Sequence, residues 1–277
     1  LTESVEISHG PWRAGIERRG AQLRSLKMDG AELLWPGDPD GWKDSAPILF
    51  PVVGRLWPDA LRHQGRSVPH PMHGMVRAAA FDLVSLEPHR VVLRLDHDGN
   101  GIFPWAFGLE IEFSLDAQGL SFQARVLNPS PEESLPFQFG WHPGFSGSQF
   151  RIGWETPQEL VLHEVVPGEG WRTGERREVG SSLTEIAWTE QPTAWVTSLS
   201  ASRLRLDGGI LPLSLAIDPP PEAWVFWQRP GQSFLCLEPW YGLPDQRGET
   251  CEFIERTGTR VLEPGETWQM TLHIGKA

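Results

Sequence analysis

Phe107-Gly-Leu-Glu-Ile-Glu-Phe-Ser-Leu115 decides the fold class. Apolar and polar residues alternate along it without a break. A period of two is the mark of a strand with one face buried, because successive side chains point to opposite faces. The same period recurs in Leu120-Ser-Phe-Gln-Ala-Arg-Val126, Val91-Val-Leu-Arg-Leu95 and Leu211-Pro-Leu-Ser-Leu-Ala-Ile217. Further strands are expected at 12–19, 21–26, 194–198, 203–206, 224–227, 233–238 and 267–274. Turn chemistry separates them: Asp116-Ala-Gln-Gly119, Asn128-Pro129, Asp207-Gly-Gly209 and Glu263-Pro-Gly265. Short helical turns are expected only at 39–46 and 250–256. Many strands joined by short turns predict an all-β protein, a large antiparallel sandwich or barrel.

Composition narrows the function. The 277 residues hold 25 Pro and 29 Gly, too many breakers for a helical bundle. Strands spread evenly and no Ser/Gly-rich linker divides them, so one domain over 1–277 is expected. The balance of 24 basic against 36 acidic residues, net −12, argues against a nucleic-acid partner, which needs a basic face. No apolar run reaches the roughly 18 residues of a membrane helix. Cys236 and Cys251 are too few for a secreted disulfide framework, and no secretory leader opens the sequence. The expected protein is cytoplasmic, a monomer or homodimer. The 14 Trp against a single Tyr remain to be explained.

Polar groups gather beside aromatics in four segments. Pro47-Ile-Leu-Phe-Pro-Val-Val-Gly-Arg-Leu56 delivers Arg55 after an apolar run. It is either a structural ion pair or a donor to ligand oxygens. His70-Pro-Met-His-Gly-Met-Val-Arg77 holds His70 and His73, three apart. A metal pair there lacks a third ligand, so no metal is expected, and a loop histidine bonded to backbone is the simpler reading. In Phe137-Gln-Phe-Gly-Trp-His-Pro-Gly-Phe145 a strand is expected to end at His142, with Pro-Gly turning the chain away. That leaves an imidazole at a strand mouth between Trp141 and Phe145. Aromatic faces beside a polar tip suit the C–H faces and hydroxyls of sugars. Lastly, Ser233-Phe-Leu-Cys-Leu-Glu-Pro-Trp-Tyr-Gly-Leu-Pro-Asp245 places Glu238 after an apolar run and before a Pro expected to end the ladder. A poorly hydrated carboxylate there has a raised pKa, as a general base near neutral pH requires. The bland alternative is a buried partner for an arginine, Arg55 among them.

These four segments, in this order, resemble the aldose 1-epimerase (galactose mutarotase-like) superfamily, most of all its shorter LacX-like branch. The matching stretches are Phe50-Pro-Val-Val-Gly-Arg-Leu56, His73-Gly-Met-Val-Arg77, Gly140-Trp-His-Pro-Gly-Phe145 and Cys236-Leu-Glu-Pro-Trp-Tyr-Gly-Leu-Pro-Asp245. Gly20-Ala-Gln-Leu-Arg-Ser-Leu26 and Glu32-Leu-Leu-Trp35 look like the family's opening hairpins. The resemblance implies a large β-sandwich with a sugar groove on one sheet, and interconversion of sugar anomers without a cofactor. It implies Glu238 as general base and His142 as general acid, one ionised and the other charged. By the same carry-over His73 and Arg55 bind sugar oxygens and Asp245 neighbours the site. Trp141, Trp240 and Trp57 are expected to line the groove. Two departures stand out. Met75 replaces a common Phe. A further sugar-binding Asp of the family has no clear counterpart, and Glu190 and Asp207 are the nearest acidic candidates. The rivals are a hexose-6-phosphate mutarotase, with Arg62, Arg66 and Arg77 near the phosphate, and a lectin-like module without turnover. Glycoside hydrolysis ranks last, since it usually wants two carboxylates.

Overall fold

The computed structural model describes residues 4–166, 169–188 and 194–277. Strands dominate it, and the two helical segments are single 3-10 turns, Val76–Ala78 and Phe253–Glu255. The alternating stretches became strands close to their expected bounds: Arg90–Asp98, Ala106–Leu115, Gly119–Leu127 and Leu213–Asp218. Their apolar faces, including Leu109, Ile111, Phe113, Phe122 and Leu215, are fully buried. The fold is therefore an all-β antiparallel sandwich, one of the two architectures that the alternation allows.

One 14-stranded antiparallel sheet makes up most of the molecule, and a four-stranded sheet formed by residues 4–32 supplies part of its cover. A single large buried cluster draws side chains from Val5 to Ile274. One helical expectation needed correction here. Residues 39–46 form turns and bends rather than a helical turn, and this loop carries Trp42. A long hairpin, Gly144–Val165 with Arg172–Ala187, was not foreseen at all. Much of its second strand is exposed on both faces, so it shows no clean alternation. Among the described residues no helix is long and apolar enough to cross a membrane.

The part of the sheet that matters most runs Ile48–Leu49, Phe139–Trp141, Phe234–Tyr241, Ala223–Trp227, Ala194–Thr197. Gly140 pairs with Trp240 and Gly144 with Cys236. Both pairs belong to one register, which sets His142 directly opposite Glu238. Pro143 therefore does not turn the chain away. The backbone continues beside the same neighbour, with the His142 N–H bonded to the Pro47 carbonyl and the Leu237 N–H bonded to the Pro143 carbonyl. Pro239 does not end the ladder either, for the strand runs on to Tyr241 and Trp224 pairs with Pro239. Each proline removes one N–H, and the flanking residues carry the pairing through.

Candidate functional site: a buried acid–base pair on a strand ladder

Strand parity selects the residues of the site. Along Phe234–Tyr241 the side chains of Leu235, Leu237 and Tyr241 enter the main core, while Cys236, Glu238 and Trp240 take the opposite face. On the facing strand Gly140, His142 and Gly144 share that face. The neighbouring strand adds Val225, which pairs with Glu238, and Trp227, which pairs with Cys236. Of these, His142, Val225, Trp227, Glu238 and Trp240 floor a cavity of about 220 Å³, and Cys236 lies beneath that floor on the same face. The walls and roof of the cavity are Trp42, Pro47, Gly54, Met72, His73, Arg77, Val165, Val166 and Gly170. Gly144 makes room for Trp42: a Cβ there would lie 2.5 Å from the indole. Trp42 in turn stacks tilted on His142, ring centroids 5.1 Å apart.

His142 Nε2 lies 3.2 Å from Glu238 Oε1, and Glu238 Oε2 accepts a 3.0 Å bond from the Trp240 indole N–H. Both groups are buried, Glu238 almost wholly. Burial raises the Glu238 carboxyl well above its usual range, opposed in part by the Trp240 bond. Burial also lowers the imidazole, as does the positive charge of Arg77. The two shifts favour the same form, in which the proton of the hydrogen bond rests on the carboxyl and both groups are neutral. The expected carboxylate–imidazolium form carries the same number of protons and differs by one transfer along that bond.

His73 reaches the cavity by a strained turn, with φ +66°. Gly74 follows at φ +74°, where a Cβ would meet the Phe50 carbonyl at 2.0 Å, so only glycine fits. The Gly54 N–H donates to His73 Nδ1 at 3.1 Å, which leaves Nε2 to carry the ring proton. The ring stands edge-on to His142 and to Trp240, each at 5.8 Å. His70 goes elsewhere, with Nδ1 on the Ile102 carbonyl and its ring against Phe103. The two histidines of that segment are not a pair.

Other expected site residues lie outside the cavity lining. Trp141 has odd parity with respect to His142, so it enters the core, stacked on Phe122 at 4.2 Å with its N–H on the Ala46 carbonyl. Trp57 packs against Trp171 instead. Arg55 turns its guanidinium to Asp59, 2.8 Å away, and over the Trp171 ring. It is not the partner of Glu238. Asp245 is a buried clamp: its carboxylate accepts the Trp57 N–H at 2.5 Å and pairs with buried Arg256. Its backbone N–H bonds to the Arg55 carbonyl, and its own carbonyl accepts from Arg172. Asp245 thus ties the Arg55–Trp57 loop and the Arg172 strand to the end of the Glu238 strand. Asp207 pairs with Arg205 and is not among the lining residues. Glu190 lies outside the described residues.

Three charged or aromatic lining residues had not been assigned to a sugar groove from the sequence. Arg77 was noted only as a phosphate ligand, and it is held at the cavity wall by Asp44 at 2.6 Å. Trp42 and Trp227 gave no local motif, although Trp42 falls in the irregular, aromatic-rich stretch between Trp35 and Arg77. Together with Trp240 they supply the aromatic walls that the Trp-rich composition foreshadows.

The model of the aldose 1-epimerase family matches residues 3–275. The chain belongs to that family. It is 30% identical over 151 residues to the plasmid LacX protein of Lactococcus lactis, covering 52% of this chain and 50% of LacX. The match thus spans half the length of that curated relative. YphB of Escherichia coli K12 is 26% identical over 297 residues, 97% of each chain. Among solved structures, a galactose mutarotase-like protein of Lactobacillus casei superposes with a TM-score of 0.87 at 24% identity, covering 99% of this chain and all of the other. That likeness supports the sandwich fold of the epimerase family.

Proposed function

We propose that the chain interconverts the α and β anomers of an aldose, with Glu238 and His142 as its acid–base pair. One observation carries the reading: the two groups touch, Nε2 to Oε1 at 3.2 Å, on the floor of the cavity. Mutarotation changes the protonation of two oxygens bonded to one carbon, the anomeric hydroxyl and the ring oxygen. Acid and base must therefore sit side by side. Hydrolysis of a glycoside wants carboxyl groups at least about 5 Å apart, which this pair cannot provide. A cavity of about 220 Å³ falls below the roughly 300–1,000 Å³ of drug-sized sites and suits a single sugar ring.

In the forward direction Glu238 takes the proton of the anomeric hydroxyl and imidazolium His142 gives one to the ring oxygen. The C–O bond breaks, the chain turns about its C1–C2 bond, and the hydroxyl adds to the other face of the aldehyde while both protons return. Across ring opening the pair passes from carboxylate–imidazolium to carboxyl–imidazole, so its total charge stays at zero. Burial stabilises the second form and so supports the open-chain stage. The Trp240 indole N–H offsets part of the cost of the first by its bond to the carboxylate, and the sugar hydroxyls add donors. Trp42, Trp227 and Trp240 present faces to the sugar C–H groups, and His73 Nε2–H is the donor available to a hydroxyl.

Anomer exchange measured by polarimetry or NMR on a panel of hexoses tests this. Acceleration on at least one aldose, lost in Glu238→Gln and His142→Asn, supports it; no acceleration on any overturns it and favours the lectin-like alternative. A phosphorylated sugar is favoured by one feature. A second cavity shares Met72 and Arg77 with the first and is lined by Arg19, Arg24 and Lys43, though also by Glu17 and Asp44. A faster rate on a hexose 6-phosphate than on the free hexose decides for it.

A further inference from the structure

The proposed acid–base pair has a third donor beside it that the mutarotase chemistry does not use. Cys236 lies two residues before Glu238 on the same strand, so both point to one face. Its cross-strand partner is Gly144, which presents no side chain, and a Cβ built there would be 3.3 Å from Sγ. His142 stands on the facing strand two residues before that glycine. Sγ, an imidazole nitrogen and a carboxylate oxygen all lie within 4.8 Å of one another. Among the described residues this is the one such cluster of His, Cys, Asp and Glu.

We propose that His142, Cys236 and Glu238 form a site for a thiophilic divalent cation, zinc above all, which shuts down the catalytic pair. A thiolate, an imidazole and a carboxylate with one open position are a ligand set that zinc accepts. Two nitrogen or oxygen ligands at about 2.0–2.1 Å from a tetrahedral ion are about 3.3 Å apart. Nε2 and Oε1 already stand at 3.2 Å. Only Sγ has to close in, by a side-chain rotation. The open fourth position faces the cavity, the route by which an ion enters.

Charge also favours the occupied cluster. Binding expels two protons, one from the thiol and one from the His142–Glu238 pair. Zn²⁺ with a thiolate, a carboxylate and a neutral imidazole sums to zero, which a buried site tolerates. The site lacks one element of a resident metal centre. His142 Nδ1 has no hydrogen-bond partner, whereas metal-bound histidines usually donate their second N–H, and losing that support costs about 10–100-fold in affinity. A complete set of three ligands without the supporting acceptor describes a reversible inhibitory site. Inhibition rests on the acid–base reading above; binding does not.

The test uses the full chain, freed of metal with EDTA and titrated with ZnCl₂ by calorimetry at neutral pH. One ion per chain is expected, with anomer exchange falling in proportion to occupancy and returning on EDTA addition. Co²⁺ in place of Zn²⁺ is expected to show a thiolate-to-cobalt charge-transfer band. Cys236→Ala should bind zinc more weakly by over about 100-fold, beyond the range of a lost supporting contact, and Cys236→Ser should lose the cobalt band. Two variants guard against one that fails to fold. Wild-type protein that binds no zinc, variants that bind it as tightly, or zinc-loaded protein with full anomer exchange overturns the proposal. If the chain accelerates no sugar at all, zinc binding and the cobalt band still test the site, and the failure falls on the mutarotase reading alone.

Discussion

Two regions of the molecule hold the polar residues that the motifs single out, and they treat them differently. On the strand ladder, His142 and Glu238 are fixed by register and face a cavity. In the loops beside it, Arg55 pairs with Asp59 and Asp245 with Arg256, and none of the four lines the cavity. A ladder holds a side chain by backbone pairing at every second residue, and so can keep two titratable groups apart from other partners. A loop has no such frame. Its polar groups gain most by satisfying each other, because an unpaired buried charge is costly. Residues of equal prominence in the sequence thus end in different employment: proposed chemistry on the ladder, architecture in the loops.

The comparison can be broken by substitution. The largest effect is expected on the ladder: Glu238→Gln and His142→Asn each slow anomer exchange by about 10²–10⁴-fold, with the fold kept by circular dichroism. Next comes the clamp. Asp245→Asn still accepts the Trp57 N–H but strands the Arg256 charge, and urea unfolding should report a loss of about 3–5 kcal/mol. If Asp245→Asn instead leaves stability unchanged and abolishes turnover, the division between ladder and loop is wrong.

A smaller effect depends on pH. Burial pushes His70 down to about 4 from an ordinary 6.5. Between those values the unfolded chain binds the proton and the folded chain does not, so stability falls as pH drops from 6.5 toward 4. The loss through His70 is at most about 3 kcal/mol. His73 is shifted in the same direction by burial. His70→Gln should flatten the dependence of the urea midpoint on pH across that window, and an unchanged slope excludes His70 as a source. The smallest effect is expected from Arg55→Ala, which removes a half-exposed pair with Asp59 worth under about 1 kcal/mol. Anomer exchange should persist, and its loss would move Arg55 into the site.

What the sequence revealed follows the same line. Alternation from Phe107 to Leu115 sufficed for the fold class, because a half-buried strand writes its two environments into successive residues. Glu238 and His142 were legible as polar residues inserted in apolar runs. Their contact was not, because it depends on a register set by residues a hundred positions apart. Pro143 and Pro239 misled, since a proline usually ends pairing and here neighbouring strands carry it on. Arg55 and Asp245 were legible as residues that matter near the site, but a motif does not record which way a loop side chain turns, so their pairing with Asp59 and Arg256 was not. The hairpin Gly144–Val165 with Arg172–Ala187 left little trace because exposure on both faces erases periodicity.

The shared register of Gly140–Trp240 and Gly144–Cys236 also sets how this stretch can change over time. Loops gain and lose residues readily, but a single insertion between Gly140 and Trp141 would shift parity by one. The imidazole would turn into the core and the Trp141 indole would swing out over Glu238. Insertions or deletions here should therefore survive only in pairs, and the spacing between Gly140 and Gly144 should be among the last features to drift.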